Sequence, residues 1–174
     1  MRIESHRWRI YTSVEDSSGG RFVFPPVFPY LLTMILVAVG LITRNVAPEL
    51  TEILLCQRKE TSRYGLKWEF PGGKVEEGEG TADGLRRELR EELEIEATVG
   101  ELYHRQRCVY PDSGTFDIYY YRIPSYSGAI VNHVFEATAW VSVTCLGEYD
   151  ILSGNADVVG KLMNDYAKIE VGKN

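Results

Sequence analysis

Residues 73–95 read GKVEEGEGTADGLRRELREELEI, and the fold and chemistry of the chain turn on them. Ala82, Leu85, Leu89 and Leu93 recur at helical spacing, which predicts a helix over about 81–93 with one apolar stripe. Glu88, Glu91 and Glu92 stand at i, i+3 and i+4, so they are neighbours beside that stripe. Like charges at that spacing repel, and no run of Lys on the same side offsets them. Clustered carboxylate oxygens are what a hard divalent ion such as Mg²⁺, or Mn²⁺ in its place, takes. The competing reading is a solvated acidic helix face.

The preceding residues fit the ion as well. Trp68-Glu69-Phe70 reads as the end of a strand, which Pro71-Gly72-Gly73 breaks. Glycines let a backbone pass close to a ligand and take up positive φ. Lys74, Glu76, Glu77 and Glu79 occupy a short loop, Thr81 is expected as the N-cap, and Asp83 falls in the first turn.

Gly73, five residues, Glu79, seven residues, then Arg87-Glu88-Leu89-Arg90-Glu91-Glu92 resembles the signature of the Nudix hydrolases, G-x5-E-x7-R-E-U-x-E-E-x-G-U with U apolar. Every charged position matches, as does Ile95; the last glycine is Glu94 here. The resemblance covers roughly residues 34–165 and implies an α/β/α sandwich with a mixed sheet. It implies a hydrolase that splits a diphosphate attached to a nucleoside or similar group with divalent metal. By the same resemblance Glu88, Glu91 and Glu92 face the metal, the carbonyl of Gly72 adds a ligand, and Glu88 or Glu91 takes a proton from water. Arg87 then orients the glutamates, and Glu79 ties the loop to the helix or assists the base.

WEFPGGKVEEGE is similar to the MutT-like branch, which converts nucleoside triphosphates, 8-oxo-dGTP among them, to monophosphate and pyrophosphate. In that pattern Arg58 contacts substrate, Asp112 in Tyr110-Pro111-Asp112 lies near the base, and Asn155 reads the purine beside the backbone of Phe70. Asn155 also reads as a cap for the last helix. The branch's further metal carboxylate falls on Val134, leaving Glu136 as the substitute; His133 nearby reads as a solvated side chain or a phosphate contact. Glu94 in left-handed geometry costs about 1 kcal/mol, so the helix is expected to end differently. Alternatives are a hydrolase of another nucleoside diphosphate derivative, such as ADP-ribose or a dinucleotide, or a nucleotide-sensing module without turnover.

A chain of 174 residues, 44% hydrophobic and 25% charged, suits one well-packed soluble domain. A net charge of −6 argues against duplex nucleic acid as a partner, but not against a small nucleotide arriving with metal ions. Cys56, Cys108 and Cys145 are isolated, with no CxxC, which reads as reduced thiols, a cytoplasmic setting and no zinc site. The domain is expected as a monomer or homodimer. The apolar run 30–42 falls short of the ~20 residues a membrane span needs.

The order of elements expected from residue 34 is a strand over 35–43, a turn over 45–51 and a return strand over 52–57. A loop over 58–65 and a strand over 66–70 lead to the helix. Beyond it lie a long strand over 97–110 broken at Gly100, a hairpin turn over 111–114, a strand over 115–123, a loop over 125–128, a strand over 137–143 and a helix over 157–169. Residues 1–33 read as an extension of unknown role, with a strand in 2–11 and a turn over 17–20. Its apolar Phe22, Phe24 and Phe28 are expected to pack on the domain or on a second copy.

Overall fold

The computed structural model describes residues 12–15, 21–24, 34–110 and 114–171. They divide into two compact units, residues 1–33 and 34–174. In the first, β1 (Thr12–Glu15) pairs antiparallel with β2 (Arg21–Phe24), Thr12 opposite Phe24. The expected strand over 2–11 and the packing of the three phenylalanines lie outside the described residues and side chains.

The second unit opens with β3 (Met34–Ala47), which turns at Pro48-Glu49 into β4 (Leu50–Gln57). Short strands β5 (Trp68–Glu69) and β6 (Gly72–Lys74) flank Phe70-Pro71. Helix α1 (Thr81–Leu93) follows, then β7 (Glu96–Thr98), β8 (Leu102–Tyr110), β9 (Gly114–Ile123), β10 (Ser125–Ser127) and β11 (Ala137–Ser142). Two 3-10 turns, Val143–Glu148 and Ser153–Asn155, lead to α2 (Ala156–Val171).

The main sheet runs β11-β4-β3-β9-β8 and is mixed, because β3 and β9 are parallel and the other neighbours antiparallel. Side chains on a strand alternate between faces, and the core follows that period. Val39, Leu41, Ile53 and Leu55 pack with Val158 and Leu162 of α2, while Ala38, Ile42, Leu54 and Cys56 pack with Leu85, Leu89 and Leu93 of α1. Burying each of those three leucines completely contributes roughly 1.5–3 kcal/mol. A like-charged pair on a helix costs only a few tenths (~0.2–0.5 kcal/mol). The helix therefore forms with its glutamates crowded together.

One irregularity creates the site. β3 and β4 pair from Thr43↔Ile53 to the hairpin, and toward the other end they part. β6 pairs with β3 there, Gly72 opposite Val39, and β5 pairs with β4, Glu69 opposite Cys56. The Pro71-Gly72-Gly73 break thus sits in the split of the sheet, held by Gly40 N–H donating to Pro71 O at 2.9 Å.

Several expected elements differ. The strand over 66–70 shrinks to Trp68–Glu69 because Tyr64 and Leu66 have φ of 57° and 64°, which strand geometry excludes. β6 was not expected: glycines depress strand propensity, yet these pair along β3. Residues 125–127 form a strand, not a loop, pairing with β7 once Gly100 separates it from β8. Thr81 is not the N-cap; Gly80 is, and Thr81 Oγ1 instead meets Tyr121 Oη at 2.6 Å. α1 also ends as if the glycine were present. Glu94 itself takes φ 58° and its N–H bonds Arg90 O at 3.0 Å. The N–H groups of Val131 and His133 satisfy Leu93 O and Glu92 O, and His133 Nε2 lies 2.9 Å from the Glu94 carboxylate. These contacts offset the backbone cost of a non-glycine residue there.

Candidate active site

Two glycines let the carboxylates of α1 press against the β6 backbone. Gly72 has φ 135°, and a Cβ there would strike the carbonyl of Ala38; a Cβ on Gly73 would overlap the Glu88 carboxyl group. Glu92 Oε2 accepts the Gly72 N–H at 2.9 Å. Burial pushes the Glu92 pKa up to about 8; the charges of Glu88 and Glu69 add to the rise and the Gly72 N–H opposes it.

Arg87 joins the loop to the helix. Its Nη1 donates to Glu88 Oε1 at 2.8 Å and lies 3.5 Å from Glu91 Oε2. Nε and Nη2 donate to the two oxygens of Glu79 at 3.2 and 3.1 Å, and Nη2 also donates to Lys74 O at 2.9 Å. Glu79 Oε2 accepts the N–H of Glu76 at 3.1 Å. The Arg87 hydrogen bonds, with that N–H, hold the Glu79 carboxyl below the usual carboxylate range. Arg87 thus bridges Glu79 of the loop and Glu88 of the helix. The same pair explains Gly84, which sequence reasoning passed over: a Cβ there would lie 2.8 Å from Glu79 Oε2. A glycine inside a helical pattern was the available signal.

The glutamates themselves are only partly gathered. Glu88 and Glu92 flank Gly72-Gly73, but the Glu91 side chain is 60% exposed, with Arg87 Nη1 3.5 Å from its Oε2. Among the described residues no three acidic, His or Cys side chains close into a ready ligand set. Mutual repulsion and the pull of Arg87 turn Glu91 outward beside the two carboxylates at Gly72-Gly73. Glu136 precedes β11 with an exposed side chain, its backbone N–H bonded to Gln57 O at 2.9 Å. Asp112 lies outside the described residues.

Beside Gly72-Gly73 opens a cavity of about 400 Å³, bordered by Arg58, Tyr64, Glu69, Phe70, Tyr110 and Asn155 among others. The structure therefore brings Arg58, Phe70 and Asn155 to one place. Arg58 Nη1 donates to both oxygens of Glu69 at 2.7 and 2.8 Å, and its Nε donates to Arg63 O at 2.8 Å. Burial raises the Glu69 pKa and Arg58 opposes the rise. Sequence reasoning missed Glu69, because its pairing with Arg58 depends on the β4–β5 register. Asn155, directly before α2, is 5% exposed, and its Oδ1 accepts the Tyr120 hydroxyl at 2.8 Å.

A model of the NUDIX domain matches residues 34–159. The chain is 34% identical over 132 residues to an 8-oxo-dGTP diphosphatase of Haemophilus influenzae, covering 76% of this chain and 93% of that protein. It is 42% identical over 92 residues to the CTP pyrophosphohydrolase of Escherichia coli, covering 52% of this chain and 67% of the relative. The solution structure of the Escherichia coli ORF135 protein superposes with a TM-score of 0.66 at 33% identity, over 75% of this chain and 89% of that one. The domain match, the relatives' names and the glutamates packed on Gly72-Gly73 agree: the chain belongs to the Nudix hydrolase family, in its MutT-like branch.

Proposed function

We propose that the protein hydrolyses a nucleoside triphosphate to the monophosphate and pyrophosphate, with Mg²⁺ or Mn²⁺ bound at the glutamate-lined edge of the cavity. The observation that carries this is the meeting, at Gly72-Gly73, of two packed carboxylates with a cavity large enough for a nucleobase. The substrates in the relatives' names, 8-oxo-dGTP and CTP, are the candidates.

The donor set fits a hard divalent ion. It is all oxygen, and Glu92 is a half-buried carboxylate whose charge Glu88 and Glu69 disfavour. Glu88, Glu91 and Glu92 would hold the ion, joined by the Gly72 carbonyl and, if the segment before β11 moves in, by Glu136. When bound, the ion neutralises phosphate charge and lowers the pKa of a bound water.

The chain's own residues do the rest. Arg87 keeps Glu88 in place through a charge-assisted hydrogen bond, and Glu79 fixes Arg87 against the loop. Glu91, the least engaged of the three, accepts the proton of the attacking water at a carboxylate oxygen. Arg58, aimed by Glu69, meets the substrate, and Phe70 and Asn155 border the base; the family pattern adds Asp112 to the substrate-binding residues. Incubation with a panel of nucleoside triphosphates tests this reading: pyrophosphate release supports it, and the absence of turnover with every member refutes it.

A further inference from the structure

Two departures from the family pattern meet in space. Glu94 stands where the signature has glycine, and His133 directly precedes Val134, where the MutT-like branch has its further carboxylate. Their side chains touch: His133 Nε2 lies 2.9 Å from Glu94 Oε2. The chain leading to His133 is laid along the end of α1. Ser127 pairs with Glu96, and Gly128 passes so close that a Cβ there would lie 3.1 Å from Glu94 O. The N–H groups of Val131 and His133 then donate to Leu93 O and Glu92 O, each at 3.0 Å. Asn132 closes the next turn by exchanging two hydrogen bonds with Phe135.

The His133 N–H ends on the backbone carbonyl of Glu92, whose carboxylate accepts the Gly72 N–H at 2.9 Å. The last carbonyls of a helix need partners from outside it, and helix ends without them fray. Leu93, 0% exposed, anchors this turn to the core through its side chain, while the 131–133 segment satisfies its carbonyls. The Glu94–His133 contact keeps that segment in place, and with it the backbone from which the Glu92 carboxylate is aimed. Glycine at position 94 would adopt φ 58° without the cost a side chain carries there. A side chain held in such geometry points to a task for it.

We propose that Glu94 and His133 are positioning residues: their contact ties the 131–133 segment to the last turn of α1 and so holds the Glu92 carboxylate at Gly72, in place to take a divalent ion. The part concerning the ion rests on the function proposed above; the positioning of Glu92 does not.

The signature's own glycine makes the test. Glu94→Gly relieves the backbone, so the unfolding temperature should hold or rise. Mn²⁺, followed by electron paramagnetic resonance, should nevertheless bind roughly two- to fivefold more weakly. That is the size expected of a contact whose His133 and Glu94 side chains are 47% and 63% exposed. The Gly72 amide, whose acceptor is Glu92, should exchange with solvent faster by a similar factor in metal-free protein. His133→Ala should weaken Mn²⁺ binding as much, and the double variant no more than either single one. Glu94→Gln can pair with either tautomer of the ring and should bind Mn²⁺ as wild type does. A charge effect alone predicts the reverse, with Glu94→Gln weakened like Glu94→Gly and His133→Ala unweakened. That pattern, or wild-type Mn²⁺ affinity in Glu94→Gly, would overturn the inference. Should wild type bind no Mn²⁺, the metal reading fails and Gly72 exchange decides the positioning: faster exchange in Glu94→Gly and His133→Ala upholds it, and wild-type rates overturn it.

Discussion

Glu92→Gln separates the function of that side chain from its effect on stability. The carboxyl has a pKa of about 8 in the folded protein against an ordinary 4.5, because burial disfavours its charge. The folded state thus holds the proton more tightly than the unfolded state does. Stability without a divalent ion is therefore greatest below about 4.5 and falls as pH rises through the window to about 8. At ~1.4 kcal/mol for each pH unit above 4.5, the loss at pH 7 is at most about 3–4 kcal/mol. Gln carries no charge and keeps an oxygen for the Gly72 N–H. In chelator-treated protein Glu92→Gln should equal wild type near pH 4.5 and unfold higher at pH 7, by up to about 6–12 °C. Adding Mg²⁺ should raise the wild-type midpoint and leave the variant's nearly still, while the variant's turnover drops by orders of magnitude. Thermal unfolding followed by circular dichroism across pH 4.5–8.5 makes the measurement. A variant less stable than wild type at pH 7, or a gap that does not widen with pH, would refute the reasoning.

Two further substitutions probe the Arg87 hub. Arg87→Lys keeps a charge but cannot reach Glu79, Glu88 and Lys74 O together, so kcat should fall roughly ten- to hundredfold while unfolding shifts by about 1 kcal/mol or less; steady-state kinetics with wild-type kcat would remove Arg87 from the mechanism. Gly84→Ala gains about 1 kcal/mol of helix propensity but forces the Glu79 carboxylate aside, so the unfolding temperature should hold or rise while turnover falls; unimpaired turnover would show that Glu79 need not grip Arg87.

Helix α1 was legible because its signals are local: a leucine stripe, glycines before it and carboxylates at fixed spacing. Its ending was not, since Glu94 is accommodated by Val131 and His133, residues far along the chain. The same divide runs through the site. Arg87 and Glu79 could be named from the signature and Gly72 from the wider family resemblance, whereas the Arg58–Glu69 pair needs the β4–β5 register. The Tyr120–Asn155 bond needs β9 and the turn before α2 to meet across the sheet, and no spacing encodes that. The outward turn of Glu91 reflects a balance of charges that helical spacing leaves open.

The central claim is the reaction itself, and its products test it most directly. Purified protein should be incubated with 8-oxo-dGTP and CTP with Mg²⁺, and in parallel with a chelator, and the products followed by phosphorus NMR. The account predicts monophosphate and pyrophosphate in equal amounts, with no product in the chelated sample. Release of orthophosphate, turnover that survives the chelator, or substrates left intact beside Mg²⁺ would contradict it.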